Sequence, residues 1–180
     1  EVTAEGTVST LRLTEAVNQA VGQGAGTYSL RVAIPGTHMV LNATAAALGS
    51  VLLGADVEKV IEGIGGFDGV RRRFESHGTR GEVEVYDDYA HHPTEVAAVL
   101  SAARQRVQAR GGRIVAIFQP HLYSRTINFA AEFAEALSLA DQVVLLDIFG
   151  AREEPVEGVD SRIIGSKIDS ATEWVFEPDF

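Results

Sequence analysis

The feature that most constrains the fold is an alternation of short apolar runs with longer amphipathic stretches between residues 82 and 149. The runs EVEVY, RIVAIF and QVVLLDIF predict strands, and the stretches 93–110 and 126–140 carry apolar residues at helical spacing. Helical connections between successive strands indicate parallel pairing, because a parallel strand pair needs a long crossover. The sequence therefore predicts an α/β fold with a mostly parallel sheet in this region.

The preceding region predicts a different arrangement. The first 35 residues alternate apolar and polar side chains around VGQGAG, which indicates β-structure joined by a mobile turn. The Ala- and Leu-rich run 38–55 predicts a buried helix, and ADVEKVIEGI predicts a second helix that glycines close. We interpret the following segment, GIGGFDGVRRRF, as a hinge.

Composition disfavours several functional classes. The chain has 180 residues and no cysteine, so it can fold around a core but offers neither disulfides nor a cysteine-ligated zinc site. Its net charge of -10 disfavours general binding to nucleic acid or to an acidic membrane. The longest weakly polar run, 42–54, is shorter than the ~20 residues that cross a bilayer. Because the chain begins at Glu1 rather than at a methionine, we expect it to be a piece of a longer, cytoplasmic protein.

Chemically rich segments follow all three predicted strands: DDYAHHPTE, QPHLYSRT and DIFGAREEP. Ligands of open parallel sheets bind outside the carboxyl ends of the strands, so we expect these segments to meet along one edge. His121 and Arg125 would then face DDYAHHPTE. The guanidinium of Arg125 suits a small carboxylate substrate through two parallel hydrogen bonds, although pairing with a structural aspartate is an alternative.

Simpler interpretations stay open for the other polar residues. Asp87 and Asp88 are also typical of turns and helix caps. The side chains of His91 and His92 are adjacent and diverge, which disfavours a shared metal ion, and we predict no metal ligands in this chain. The basic triplet Arg71–Arg73 is either a solvated charge run or the source of one arginine that reaches a phosphate.

Three separated motifs, PGTHMVLNATAA, DDYAHHPTEV and FQPHLYSRT, resemble those of the Mur ligases. The resemblance implies that residues 1–76 are the C-terminal part of a central ATP-binding α/β domain. It further implies that residues 77–180 are a truncated, Rossmann-like domain that binds the amino acid. The chain has no GxxxxGK[ST] phosphate loop. We therefore expect the UDP-sugar domain, the phosphate loop and the magnesium ligands upstream of Glu1, and we expect the isolated chain to be inactive.

The resemblance also implies an activity. Such a ligase uses ATP and Mg²⁺ to phosphorylate the carboxylate of UDP-N-acetylmuramate. The amine of L-alanine then attacks the acyl phosphate, which forms an amide bond in peptidoglycan synthesis. Phosphoryl transfer depends mostly on positioning and on charge stabilisation, so cations and metal matter more than a covalent nucleophile.

On the nucleotide side, the resemblance implies that Asn42 lines the adenine pocket, that Arg73 contacts ATP, and that Asp88 helps to organise the nucleotide. Many members of the family have asparagine where this chain has Met39, which weakens an adenine contact there. With His91, Arg73 and Asp88 form the predicted catalytic set.

On the amino-acid side, the resemblance implies that Tyr89, His91, His121 and Arg125 surround L-alanine and that Arg125 binds its carboxylate. An α-amino group with a pKa near ~8 must lose a proton before it attacks, and an imidazole near ~6.5 can accept one. Either His91 or His121 is therefore a candidate base. Many relatives have arginine where this chain has Leu122, so one substrate-side cation is missing from the pattern.

Three other functions remain open on the sequence. A related recycling ligase attaches a tripeptide to the same UDP-sugar and shares a DDYAHHPTE-like segment, although PHLYSRT favours the alanine reaction. A non-catalytic small-molecule-binding module would lack a phosphate loop in the upstream sequence. A histidine–carboxylate metallohydrolase would purify with zinc or manganese.

Overall fold

The computed structural model describes residues 2–3, 6–22, 25–34 and 36–178 of the chain. By its internal contacts the chain divides into two compact units, Glu1–Asp88 and Tyr89–Phe180. We call these the first unit and the second unit. The division at residues 76 and 77 that the family resemblance implies stays a prediction.

The first unit begins with an antiparallel sheet. Strands β2 (Gly6–Leu13) and β3 (Gly26–Val32) pair along their lengths, from Thr7 opposite Val32 to Leu13 opposite Gly26, which confirms the predicted β-structure. A short helix between them, α1, was not predicted, and Gln23 and Gly24 of the expected mobile turn lie outside the described residues. The elements are β1 (Val2–Thr3), β2 (Gly6–Leu13), α1 (Glu15–Val21) and β3 (Gly26–Val32).

Two helices pack on this sheet, α2 (Thr37–Leu52) and α3 (Val57–Gly65), and both were predicted. The α3 helix begins where the Asp56 side chain accepts the backbone N–H of Lys59, which satisfies one free donor of the first turn. The expectation that α2 is buried throughout is wrong for this structure. Its fully buried positions are Ala47 and Val51, and Leu41 is 64% exposed.

A two-stranded hairpin completes the first unit. Strand β4 (Glu75–Arg80) pairs antiparallel with β5 (Val83–Asp87). The strand at 82–86 was predicted, but its assignment to a parallel sheet with RIVAIF and QVVLLDIF is wrong, because it pairs with β4 in a sheet of its own. The physical reason is local: a two-residue connection with Gly81 at φ +58° brings the chain straight back onto the preceding segment.

The second unit contains the predicted parallel sheet. Its strands are β6 (Val115–Phe118), β7 (Gln142–Leu146) and β8 (Glu173–Glu177), paired in that order and all parallel. The α/β prediction is confirmed, with β8 in the sheet in place of the strand at 82–86. The helices of this unit are α4 (Pro93–Arg110), α5 (Tyr123–Asn128), α6 (Ala130–Leu137) and α7 (Arg162–Gly165).

One face of this sheet forms the core of the second unit. Val143 and Leu145 of β7 are completely buried and pack with Phe133 of α6 and Ile164 of α7. Alternate residues of a strand point to opposite faces, so the same strands expose their other side, where Ile117 is 60% exposed. Within the described ranges, none of the helices is long and apolar enough to cross a membrane.

Candidate functional site

The segments that follow β6 and β7 meet, as the sequence predicts. His121 and Phe149 form a parallel bridge, and their rings lie 5.7 Å apart. The backbone N–H of Leu122 donates to the carbonyl oxygen of Phe149 at 2.9 Å, and the N–H of Phe149 donates to Pro120 at 2.8 Å. The two loops at the carboxyl ends of neighbouring strands are therefore joined by backbone hydrogen bonds, which fixes the position of His121.

Glu153 ties the same loops together through its side chain. Its carboxylate accepts the backbone N–H of Ser124 at 2.9 Å and also the Ser124 hydroxyl. These bonds, made chiefly by Ser124, hold the pKa of Glu153 below its ordinary value. A carboxylate at the start of a helix satisfies donors that lack intrahelical partners, so Glu153 stabilises the first turn of α5, the helix that carries Arg125.

Arg125 lies against the start of the second unit. Its Nη1 donates to the backbone carbonyl of His91 at 3.3 Å. This contact joins α5 to the segment that precedes α4. The predicted proximity of Arg125 to the DDYAHHPTE segment is confirmed at His91.

The backbone around His91 is held by a helix cap. The carboxylate of Glu95 accepts the N–H groups of His91 at 3.0 Å and His92 at 3.2 Å, and the His92 ring accepts the N–H of Thr94. Pro93 occupies the first turn, where a missing N–H costs little. The sequence pattern HPTE thus builds a capping box that begins α4.

The imidazole of His91 is oriented by its neighbours. Its Nδ1 lies 2.9 Å from the carbonyl oxygen of Tyr89 and 3.4 Å from Oε2 of Glu95. An Nδ1–H that donates to the carbonyl leaves Nε2 as the acceptor of the neutral ring. The ring of Tyr89 contacts His91 edge-on at 5.2 Å, and Tyr89 is half exposed.

His121 is electrostatically distinct. Partial burial lowers its pKa from the ordinary value, and electrostatic interactions with Arg125, His91 and Arg152 lower it further, against an opposing effect of Glu153. Both burial and like charges disfavour the protonated imidazolium. At neutral pH the ring is therefore mostly neutral and able to accept a proton.

The predicted nucleotide-side residues lie in the first unit. The carboxylate of Asp88 accepts the backbone N–H of Phe74 at 2.7 Å, which anchors the residue directly after Arg73. Burial lowers the pKa of His38; the Asp88 charge opposes this shift, and the Arg73 charge adds to it. His38, Arg73 and Asp88 are therefore electrostatic neighbours. Asn42 lies one helical turn beyond His38 on α2 and is exposed.

The seven predicted site residues thus lie in two separate groups. Tyr89, His91, His121 and Arg125 lie together in the second unit. Asn42, Arg73 and Asp88 belong to the first unit. The predicted roles of all seven remain predictions.

Two residues that interact with these groups, His38 and Glu153, were not predicted from the sequence. His38 has a detectable signal, because it is four positions before Asn42 and therefore on the same face of a helix. Glu153 stands in the chemically rich segment DIFGAREEP, but its partner Ser124 is 29 positions away.

The two departures from the family pattern have structural counterparts. Leu122 is almost buried and adopts φ +74°, and its N–H bonds to Phe149, so this position forms part of the loop junction. Met39 packs partly buried against the core of the first unit. The structure thus gives Met39 a packing contact in the first unit.

Comparisons with known proteins agree with these motifs. A family model described as "Mur ligase, glutamate ligase domain" matches residues 72–180. The UDP-N-acetylmuramate--L-alanine ligase of Mycolicibacterium smegmatis is 53% identical over 152 residues, which cover 84% of this chain and 31% of the relative. The ligase of the same name from Mycobacterium bovis is 47% identical over 180 residues, which cover 97% of this chain and 35% of the relative. The chain spans about a third of the length of these relatives.

Solved structures share the fold. The crystal structure of the UDP-N-acetylmuramate-alanine ligase from Thermotoga maritima aligns with a TM-score of 0.67 and 32% identity, covering 84% of this chain and 32% of that chain. A murein peptide ligase from Psychrobacter arcticus aligns with a TM-score of 0.63 over 99% of this chain and 35% of that chain. Its identity is 23%, so that likeness is one of fold alone.

Proposed function

The chain belongs to the Mur ligase family, and from that membership we propose that the longer protein uses ATP to join L-alanine to UDP-N-acetylmuramate in peptidoglycan synthesis. The reaction would take place in the cytoplasm and would form an amide bond through an acyl phosphate. The observation that carries the proposal is the convergence of Arg125, His91 and His121, in a chain about half identical to ligases of that name.

Arg125 is proposed to bind the carboxylate of L-alanine. A guanidinium carries about five N–H donors, so one bond to the His91 carbonyl leaves donors for a bidentate carboxylate contact. Because α5 is capped by Glu153 and Arg125 contacts the α4 cap region, the guanidinium is held before substrate arrives. Such preorganisation lowers the entropy lost on binding.

A neutral imidazole beside this carboxylate site supports a role in proton transfer. The pKa of His121 is lowered by burial and by neighbouring cations, so its ring accepts protons at neutral pH. His91 presents Nε2 when Nδ1–H donates to the Tyr89 carbonyl. Either ring can receive a proton from the alanine amine, and both are proposed to line that site.

On the nucleotide side, Arg73 and Asp88 are proposed to position ATP. ATP with Mg²⁺ supplies the phosphoryl group that activates the sugar carboxylate. Arg73 is exposed and acts electrostatically on His38, so its positive charge can also act on a phosphate bound there. Asp88 accepts the backbone N–H of Phe74, the residue directly after Arg73, and so orients the segment that carries Arg73. Asn42, on the exposed side of α2, is proposed to contact the adenine.

The proposal is tested by phosphate release from the longer protein. Release should require UDP-N-acetylmuramate, ATP and L-alanine together. A competition between L-alanine and a tripeptide acceptor distinguishes the alanine ligase from the recycling ligase. Release that depends on the tripeptide but not on L-alanine, or that occurs without the UDP-sugar, would overturn the proposed function.

A further inference from the structure

We propose that Glu75, His77 and Asp87, on the hairpin formed by β4 and β5, bind a divalent transition-metal ion. One potential ligand atom from each residue lies within 4.8 Å of those from the other two. All three residues belong to the first unit, and none of them is among the residues that carry the proposed ligase activity.

The strand pairing places the two carboxylates face to face. Glu75 and Asp87 are direct partners in the register of β4 and β5. Directly opposed side chains of an antiparallel pair have Cβ atoms only about 4.5–5.5 Å apart, and like charges there repel. A cation between them removes this repulsion.

His77 is two positions after Glu75 and so lies on the same face of β4, next to an irregularity in that strand. The register shifts between Ser76 and Thr79, so that His77 and Gly78 together stand opposite the single residue Val85. Gly78 has φ +89°, a conformation that favours glycine. A bulge of this kind bends the strand and redirects a side chain. Here it accompanies a histidine whose ring nitrogen lies within reach of both carboxylates.

In this structure the positive charge beside the two carboxylates comes from Arg72. Its backbone N–H donates to Glu75 at 2.7 Å, and its Nε lies 3.5 Å from the carboxylate of Asp87. Both side chains of the ion pair are about half exposed, so the guanidinium can be exchanged for another cation at little cost. The bond from the backbone N–H to Glu75 does not depend on where that guanidinium lies.

The donor set selects the class of metal. One imidazole nitrogen and two carboxylate oxygens, with water completing the shell, suit Zn²⁺ and neighbouring first-row ions. Mg²⁺ prefers an octahedron of oxygen ligands, which this set does not supply. The imidazole thus distinguishes this site from a pair of surface carboxylates that would merely attract counter-ions.

Calorimetric titration of the chain with Zn²⁺ tests the proposal. We expect one site per chain, and we expect His77→Ala and Asp87→Asn each to weaken binding at least ~10-fold, because the loss even of a residue that only orients a ligand costs about 10–100-fold in metal affinity. Arg72→Gln should strengthen binding because it removes the competing cation. Glu82→Gln is the matched control, an exposed carboxylate of the same hairpin outside the cluster, and should bind Zn²⁺ like the unaltered chain.

Circular dichroism of each variant separates a lost ligand from a lost fold. With Co²⁺ in place of zinc, visible absorption in the unaltered chain that disappears in His77→Ala would support nitrogen ligation at this residue. Zinc bound equally well by His77→Ala would place the ion elsewhere, for example at His91 and His92, and would overturn the proposal. Absence of any stoichiometric binding would overturn it too.

Discussion

The guanidinium of Arg125 donates a hydrogen bond to the backbone carbonyl of His91, which is 34 positions earlier in the chain. The bond joins α5 to the segment that precedes α4. It places the proposed carboxylate-binding cation beside one of the two proposed proton acceptors. The sequence predicts this proximity from topology, because both residues stand in segments expected at one edge of a parallel sheet.

Substitution Arg125→Ala in the longer protein should raise the KM for L-alanine about 10- to 100-fold. A hydrogen bond to a charged group contributes about 1.5–3 kcal/mol, and each ~1.4 kcal/mol corresponds to a factor of ten. The KM for ATP should change little. Steady-state phosphate release at varied alanine concentration measures both.

The control for this prediction is Arg113→Ala. Arg113 is an exposed arginine just before the start of β6, whereas Arg125 follows the end of that strand. Its removal should leave the KM for L-alanine unchanged. An unaltered KM in Arg125→Ala would reject the carboxylate role.

The pKa of His121 should respond to its neighbours with a defined sign. Glu153 raises this pKa and Arg152 lowers it. Glu153→Gln should therefore lower the pKa of His121 further, and Arg152→Ala should raise it towards the ordinary value. An NMR titration of the His121 ring protons in this chain measures both shifts. Glu157→Gln, an exposed acid farther along the same loop, is the control and should leave the titration unchanged.

A shift of His121 upwards in Glu153→Gln would contradict this assignment of charges. The same titration bears on catalysis. If His121 accepts the alanine proton, the acid limb of the pH dependence of kcat/KM should move in the same direction as its pKa in each variant.

The fold was predictable where one periodic pattern determines an element. The helix α4 covers the predicted 93–110, because the HPTE cap and the long run of helix-forming residues both act locally. The strand at 82–86 was also predicted, but its partner was not. That partner, ESHGTR, is polar, lies half-buried to exposed and has no apolar alternation, so hydrophobic periodicity gives no sign of a strand there.

The site was predictable to a similar extent and for the same reason. His121 and Arg125 follow β6 of the parallel sheet, as the topology predicts. His91 lies beside Arg125 as predicted, but the reason given was wrong, because the strand before it, β5, pairs with β4 in a sheet of its own. The support from Glu153 depends on a contact across 29 positions, which no local pattern specifies. The division between Asp88 and Tyr89 likewise depends on tertiary contacts, so it cannot be read from the continuous motif DDYAHHPTE.

Asp141 should contribute stability that is lost in acid. Its carboxylate accepts the N–H of Ile114 at 2.6 Å and pairs with Arg104 at 3.0 Å, and the Arg104 bond, followed by that of Ile114, lowers its pKa. A carboxylate with a depressed folded-state pKa stabilises the protein above its unfolded pKa of about 3.9, and this contribution disappears as the pH falls through the folded value. The pair is partly exposed, so Asp141→Asn should cost only about 1 kcal/mol at pH 7.

Urea unfolding at pH 7 and near pH ~3 measures this contribution. The free-energy difference between the unaltered chain and Asp141→Asn should shrink at the lower pH. Glu135→Gln, at an exposed position of α6, is the control and should change the free energy of unfolding by less than ~0.5 kcal/mol. A difference between Asp141→Asn and the unaltered chain that grows in acid would contradict the sign.

Gly165 should not tolerate a side chain, because a Cβ atom there would lie 2.5 Å from the ring of Trp174. The glycine ends α7 where that helix packs on β8, in the core of the second unit, so Gly165→Ala must displace the indole and should cost about 1–3 kcal/mol. Trp174 is the single tryptophan of the chain, and its fluorescence during urea unfolding reports this unit directly. Gly63→Ala is the control: nothing lies within 4 Å of a Cβ at this position in α3, and the helix belongs to the first unit, so the unfolding that Trp174 reports should stay unchanged. Equal unfolding midpoints for Gly165→Ala and the unaltered chain would show that the indole is not packed against this glycine.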